Sequence, residues 1–138
     1  MSTETHTNLV RHFYEALEGE DYAAVTGMFH EDFIFYNQLD TPRPGADGFI
    51  AAEKEHIDAF KGSRLTVECT VAEGDRVGAF VVVEGDQNGE FWGVPPAGAH
   101  VRFSMFNLFT FKDGKIIEKR AHYNLLDTIE QLKAGPSA

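Results

Sequence analysis

The chain has 138 residues and a formal net charge of −10, which argues against nucleic acid or an anionic membrane as a partner. Its only cysteine, Cys69, excludes a disulfide framework and a cysteine metal cluster. No apolar run reaches transmembrane length, and the polar start lacks the apolar region of a signal peptide, so we expect a cytoplasmic, single-domain protein. Twelve phenylalanines indicate either a Phe-packed core or an aromatic-lined cavity.

Apolar residues at helical spacing predict three helices in the first 60 residues. Thr5 or Thr7 caps the first helix, which runs to about Leu17. The other elements of this half are a helix at Tyr22–Phe29 capped by Asp21, a turn at His30-Glu31-Asp32, a strand at Phe33–Asn37, a loop at Gln38–Gly45 and a helix at about Gly48–Phe60 capped by Asp47. Residues 1–4 and 134–138 are predicted to be flexible tails of one domain that spans the chain.

After residue 63 the apolar residues alternate with period two, which predicts strands. The predicted elements are strands from Arg64 to Val71, Arg76–Glu84, Val101–Phe111 and Lys115–Asn124, and a helix at Leu126–Lys133. Asp113-Gly114 between the last two strands is a strong hairpin signal. Helices followed by antiparallel strands indicate the α+β class. A curved, antiparallel or mixed sheet wrapped around the three helices would form a cone with an internal cavity.

One face of the strand Val101–Phe111 is apolar except for Asn107, because alternate side chains point to the same side. A buried amide without a hydrogen-bond partner costs roughly 1–3 kcal/mol. Asn107 therefore needs a partner, which is either another part of the chain or a ligand.

Two stretches of the sequence resemble the SnoaL-like polyketide cyclases, which adopt the nuclear transport factor 2 cone. They are FHEDFIFYNQLDTPRPGADGF and GDRVGAFVVVEGDQNGEFWGVPPAGAHVRFSMFNLFTFKDGKIIE. The similarity runs from about Leu9 to Leu132. It implies a cavity between the helices and the concave face of the sheet, with acid–base chemistry on a small hydrophobic substrate. It also implies no metal or organic cofactor, and a homodimer formed through the outer face of the sheet.

The sequence departs from these relatives at their catalytic carboxylates. Their last-strand pattern Glu-x-Trp-x-x-x-Asp, counted from Glu118, places the aspartate at Asn124. Alignment on the epoxide-hydrolase relatives instead places it at Ala121, so neither register supplies an acid. Ketosteroid isomerases carry their base near the position of Asn37 and a protonated aspartic acid near that of Asn107, an isomerase feature known from earlier work. An amide cannot act as a base but can donate to a developing oxyanion.

The candidate residues follow from these alignments and from helix and strand phase. The expected catalytic groups are Asn37, Asn107, His122, Tyr14 and Asp40, and the expected substrate contacts are Phe13, Phe35, His56, Phe60, Trp92, Met105, Tyr123 and Asn124. A histidine can serve as acid or base near neutral pH, and His122 faces the cavity with Arg120 if Asn124 does. If Ala121 faces the cavity, Lys119 and Tyr123 do so instead. Trp92 either roofs the cavity or packs at a dimer interface. The six histidines show no metal-ligand spacing.

Three functions are compatible with these residues. The first is a cofactor-independent cyclase that closes a ring in a small hydrophobic polyketide-type substrate by holding its reactive conformation, with help from amide and histidine hydrogen bonds. The second is an acid–base isomerase, dehydratase or epoxide-opening enzyme that uses His122 or Asp40. The third is a dimeric binding module without catalysis.

Overall fold

Six strands form one curved sheet in a computed structural model that describes residues 2–38 and 42–136. The elements are α1 (Thr3–Glu18), α2 (Tyr22–Gly27), β1 (Phe29–Asn37), β2 (Arg43–Pro44), α3 (Ala46–Ala59), β3 (Arg64–Glu73), β4 (Arg76–Asp86), β5 (His100–Lys112), β6 (Lys115–Tyr123) and α4 (Leu125–Ala134). The strand order is β2-β1-β6-β5-β4-β3, and only β1 and β6 pair in parallel among the paired strands described. This confirms the predicted α+β class and the cone.

The predicted hairpin is present as β5 and β6, which pair from Met105–Tyr123 at one end to Lys112–Lys115 at the turn. Asp113 and Gly114 both have positive φ angles, 52° and 75°, as a two-residue hairpin turn of this hand requires. The residues of β5 that were predicted to share an apolar face are buried, apart from the half-buried Met105. The period-two pattern therefore identified the face that meets the helices.

Several helix and strand ends differ from the predictions, and a short strand, β2, lies at Arg43–Pro44 within the predicted loop Gln38–Gly45 because it pairs with Ile34 and Phe35 of β1. Helix α1 begins at Thr3, because the Ser2 hydroxyl accepts a hydrogen bond from the Thr5 amide at 3.1 Å, so residues 2–4 are not a frayed tail. Helix α3 begins at Ala46 after Gly45 and has no side-chain cap, which leaves Asp47 in the first turn. Strand β1 begins at Phe29, so residues 30–32 are strand and not a turn, and α2 ends at Gly27.

An aromatic cluster fills the space between α1, α3 and the sheet. Phe13 of α1 lies 5.7 Å from Phe49 of α3 and 5.3 Å from Phe109 of β5, between ring centroids. Phe29 and Phe33 of β1 stack on each other at 3.9 Å. Edge and offset ring contacts add roughly 0.5–1.5 kcal/mol each to the burial of apolar area. These phenylalanines therefore form a packed core between the helices and the sheet.

A second apolar cluster lies where α3 ends, between β5, α4 and the loop before β5. Its buried members are Ala59, Phe60, Val83, Phe91, Ala99, Val101, Phe103 and Leu132. The two clusters are bridged by Leu65 and Met105, which pack against both. Among the described helices, none combines the length and apolar character needed to cross a membrane.

Asn124 is expected to act as a helix cap. Its side-chain oxygen accepts from the Asp127 amide at 2.9 Å at the start of α4. Asn124→Ala should lower the free energy of unfolding by about 1 kcal/mol, because one amide at the helix start loses its acceptor. Asn124→Asp keeps the acceptor and should therefore retain most of the native free energy of unfolding. Urea unfolding of the three proteins measures this, and equal losses in both variants would contradict the capping role.

Candidate functional site

A cavity lies between α1, α3 and the concave face of the sheet. Its lining residues are Tyr14, Leu17, Asn37, Glu53, His56, Ile57, Phe60, Ser63, Leu65, Val83, Phe103, Met105, Lys119, Ala121 and Tyr123. The cavity volume is about 40 Å³, which is room for a few water molecules. The lining has the composition that is usual for small-molecule sites, with apolar walls and a few polar groups.

Strand pairing sets the floor of this cavity. Asn37 of β1 and Asn107 of β5 are both paired with Ala121 of β6, one on each side. Strands lie about 4.8 Å apart, so the two amides flank Ala121 with about 10 Å between their Cα atoms. Ala79 extends the row beyond Asn107.

Lys119 is the cation of the site, two residues before Ala121 on the same face of β6. Its side chain is buried, with 2% of the residue exposed. The ammonium donates to the Asn107 Oδ1 at 3.3 Å and lies 5.1 Å and 5.4 Å from the ring centroids of Phe35 and Phe49. Within the described part of the chain it makes no ion pair. Burial lowers the pKa of Lys119 from its ordinary 10.5 to about 8, and the Glu53 carboxylate opposes this shift.

Helix α3 contributes two titratable side chains, Glu53 and His56, which lie on one face because they are three residues apart. The His56 ring packs edge-on against Phe91 at 4.8 Å and lies 6.3 Å from the Tyr123 ring. Burial lowers the pKa of His56 below 6.5, and the Glu53 carboxylate opposes this effect. At neutral pH the imidazole is therefore uncharged and can accept a proton.

Two tyrosine hydroxyls are buried in the cavity wall, those of Tyr14 in α1 and Tyr123 in β6. The Tyr14 hydroxyl has no hydrogen-bond partner among the described residues. Burial raises the pKa of Tyr14 well above 10 and that of Tyr123 to about 12, so both remain protonated donors. The nearby Trp92 indole lowers the pKa of Tyr123 by a smaller amount. Buried donors without partners are rare in native proteins and fit a site that a ligand or water completes.

The side-chain amide of Asn107 also has a buried donor, Nδ2, without a partner among the described residues. Its oxygen faces the Lys119 ammonium. Asn107 is fully buried and lies behind the cavity surface, whereas Asn37 is half-buried and lines the cavity itself. The structural partner that the sequence required for Asn107 is thus Lys119, which satisfies only half of the amide.

Two predicted residues lie outside the cavity. His122 is exposed and points to the outer face of the sheet, because β6 alternates and Ala121 and Tyr123 face inward. Asn124 follows the last strand residue and caps α4. The Ala121 register is therefore the correct one. Asp40 falls outside the described residues.

The other candidates divide between the wall and the core behind it. His56, Phe60, Met105, Tyr14 and Tyr123 line the cavity. Phe13 and Phe35 are fully buried in the aromatic cluster around the Lys119 ammonium, so they support the wall without lining it. Trp92 is 51% exposed and lies in a groove next to the cavity.

Glu53 is a site residue that was not predicted from the sequence. It lies four residues after Phe49 and four before Ile57, both of which belong to the inner face of α3, so helical phase could have found it. Lys119 appeared only in the alternative register, since a lysine is rarely buried. No three His, Cys, Asp or Glu side chains of the described residues come together in a way that could hold a metal ion.

Comparisons with known proteins find a matching family model and solved structures with a similar fold. The family model of the SnoaL-like polyketide cyclases matches residues 7–132. No curated protein sequence matches the chain. A candidate SnoaL-like polyketide cyclase from Jannaschia sp. CCS1 is 28% identical, with a TM-score of 0.87, over 97% of this chain and 94% of that one.

Two further solved structures share the fold at lower identity. AclR, a candidate hydroxylase from Streptomyces galilaeus, is 24% identical, with a TM-score of 0.87, over 98% of this chain and all of that one. An epoxide hydrolase of the LEH-like type from M. tuberculosis is 19% identical, with a TM-score of 0.74, over 96% of this chain and 92% of that one. One fold thus carries several kinds of chemistry.

Two histidines, His56 and His100, should titrate in a definite order. The imidazole of His100 contacts Asp86 at 2.7 Å and Glu84 at 2.8 Å, which raises its pKa above 6.5, whereas burial lowers that of His56. Proton NMR of the imidazole signals against pH, assigned with His56→Gln and His100→Gln, measures both values. A His56 midpoint above that of His100 would contradict the burial of His56.

Lys119 should make stability depend on pH above neutrality. The unfolded chain holds this proton up to about 10.5 and the folded chain only to about 8, so unfolding takes up a proton between these values. Stability should therefore increase as pH rises from 8 to 10.5, by roughly 3 kcal/mol for this group. Lys119→Met should lack that increase. The difference between native and variant unfolding free energies at pH 7 and pH 10 measures it, and a constant difference would contradict the lowered pKa.

Proposed function

The chain belongs to the SnoaL-like polyketide cyclase family, and we propose that it is a cofactor-independent enzyme that closes a ring in a small, mainly apolar polyketide-type compound. One observation carries this proposal: an uncharged His56 and a buried Lys119 cation line the same apolar cavity. Ring closure between two carbonyl groups of one molecule needs a base for a C–H proton and a positive charge for the resulting enolate oxygen. These two side chains supply both.

The first step is removal of a proton from the carbon next to a substrate carbonyl. The imidazole of His56 accepts it, because burial keeps this ring neutral at pH 7. The electron pair of the C–H bond moves into the enolate, whose oxygen becomes negative. Glu53, three residues earlier on α3, favours the imidazolium that forms, since its charge opposes the effect of burial on the His56 pKa.

The Lys119 ammonium stabilises the negative enolate oxygen. Its positive charge is fixed by the Asn107 oxygen and the surrounding phenylalanine rings, so little reorganisation is needed when the enolate forms. In a cavity with apolar walls such a charge acts more strongly than in water. The Tyr14 and Asn37 side chains are further donors that could reach the substrate oxygens.

Ring closure follows inside the same molecule. The enolate carbon attacks the second carbonyl carbon and forms the new C–C bond, while the oxygen of that carbonyl takes the electron pair. The imidazolium of His56 returns its proton to this oxygen, and loss of water then gives the cyclic enone. The walls contribute by holding the flexible chain folded, which can supply several kcal/mol of the barrier reduction.

A second candidate function is an acid–base isomerase, which is favoured by the unpartnered hydroxyl of Tyr14. In that case the substrate is a β,γ-unsaturated ketone. The His56 imidazolium returns the proton to the γ-carbon of the dienolate, while the Tyr14 hydroxyl donates to the dienolate oxygen. The first step is common to both functions. They differ in whether a C–C bond forms.

Ring closure of 1-phenylhexane-1,5-dione to 3-phenylcyclohex-2-enone tests the proposal. Native protein should accelerate it, and His56→Gln should lower kcat/KM by about 10²–10⁴-fold because the proton acceptor is lost. Lys119→Met should lower it by about 10²–10³-fold. The exposed His122→Gln is the matched control and should keep the native rate. The ultraviolet absorbance of the enone gives the rate.

The pH profile of the same reaction distinguishes the contribution of His56 from that of Lys119. The rate should rise as pH increases through the lowered His56 pKa and fall as Lys119 loses its proton near pH 8. The falling limb should be absent from Lys119→Met. Binding of the diketone without any acceleration would indicate a binding module. A double-bond shift in a β,γ-unsaturated ketone, without ring closure of the diketone, would indicate the isomerase.

A further inference from the structure

The turn between β4 and β5 presents an aromatic side chain at the mouth of the cavity. Phe91 and Val94 exchange backbone hydrogen bonds of 3.1 Å and 2.9 Å around the two turn residues Trp92 and Gly93. Both turn residues have positive φ angles, 49° and 78°. This geometry favours asparagine or glycine at the first position, and a bulky tryptophan there is an outlier. Local strain of this kind is found where a side chain is needed for function.

The turn is held rigidly although its tip is exposed. The buried Gln87 amide donates to the backbone oxygens of Gly89 at 3.0 Å and Val94 at 2.8 Å. The Phe91 ring is buried and packs on Phe60 at 5.1 Å and on His56 at 4.8 Å. The turn therefore has its own anchor in Phe91. The tryptophan side chain remains half-exposed.

The indole lies in an open groove that adjoins the cavity. The groove is lined by Asn37, Ala52, Glu55, His56, Glu90, Phe91 and Trp92, and it shares Asn37 and His56 with the cavity. The Tyr123 hydroxyl in the cavity wall is buried, and the Trp92 side chain lies close enough to it to lower its pKa. A ligand that fills the cavity thus meets the indole where it leaves the mouth.

We propose that this groove is a binding subsite in which a flat, conjugated ring of the ligand stacks on the indole of Trp92. A fixed, exposed indole offers a large apolar face for such a ring. The Glu55 and Glu90 carboxylates at the groove, with the net charge of −10, exclude an anionic ring and leave a neutral or cationic one. The subsite rests on the proposed function, because it holds the part of the same ligand that extends beyond the reacting carbonyl groups.

Binding of three naphthalene compounds tests the subsite without any turnover. They are 2-acetylnaphthalene, which is neutral, 2-naphthoate, which is anionic, and 2-naphthylmethylamine, which is cationic at pH 7. Isothermal titration calorimetry of the native chain should give saturable binding of the ketone and the amine and at least tenfold weaker binding of the naphthoate. Because Trp92 is the only tryptophan, its fluorescence should change at the same ligand concentrations.

Substitutions at residue 92 identify the contact. Trp92→Asn suits the turn, so its thermal midpoint should not fall below the native value, while its affinity for 2-acetylnaphthalene should fall at least tenfold. Trp92→Phe keeps a ring and should stay within about fivefold of native. Leu126→Ala removes another exposed apolar side chain, 70% exposed on α4, and should leave the affinity unchanged.

Three results would overturn the subsite: no binding by native protein, an unchanged affinity in Trp92→Asn, or an equal loss in Leu126→Ala. Preferred binding of 2-naphthoate would overturn its charge selectivity. A chain that binds the ketone through Trp92 but closes no ring would contradict the proposed function and leave the subsite in place. Native ring-closure activity together with unchanged ketone affinity in Trp92→Asn would support the proposed function and overturn the subsite.

Discussion

The burial of the Lys119 ammonium is the constraint on which the site depends. An amine in an apolar interior loses its hydration and must be compensated or neutralised. Here the compensation consists of one amide oxygen, the faces of phenylalanine rings and the more distant Glu53 carboxylate. The compensation is partial, so the charge remains available to a ligand oxygen. A carboxylate in contact with the ammonium would have neutralised its charge, and exposure to water would have screened that charge.

The sheet and the helix place the polar groups of the cavity by different periodicities. On β6 the period of two directs Lys119, Ala121 and Tyr123 inward, and a shift of one residue would direct His122 inward instead. On α3 a spacing of three residues brings Glu53 and His56 to the same wall. The proton acceptor and the cation therefore come from separate elements, and their spacing depends on how α3 packs on the sheet through Phe49.

The fold could be predicted from the sequence because its signals are local, and the site could not because its signals depend on packing. The Asp113-Gly114 turn and the alternation along β5 need no tertiary information. Strand β6 carries polar residues on both faces, so its period of two could not identify the inward face, and only pairing with β5 decides that Lys119 is buried. The start of α1 was misplaced for a related reason, since Ser2, Thr5 and Thr7 are all suitable caps.

Burial acts on His56 and Lys119 in the same direction, and this explains how one apolar cavity can hold a base and a cation together. Loss of hydration disfavours the charged form of each, so both pKa values decrease. Because lysine begins near 10.5 and histidine near 6.5, a decrease in both leaves the lysine higher, at about 8. Near neutral pH the imidazole is then neutral while the amine is still charged. A pair of carboxylates would need opposite shifts to divide these roles, whereas histidine and lysine divide them by their ordinary chemistry.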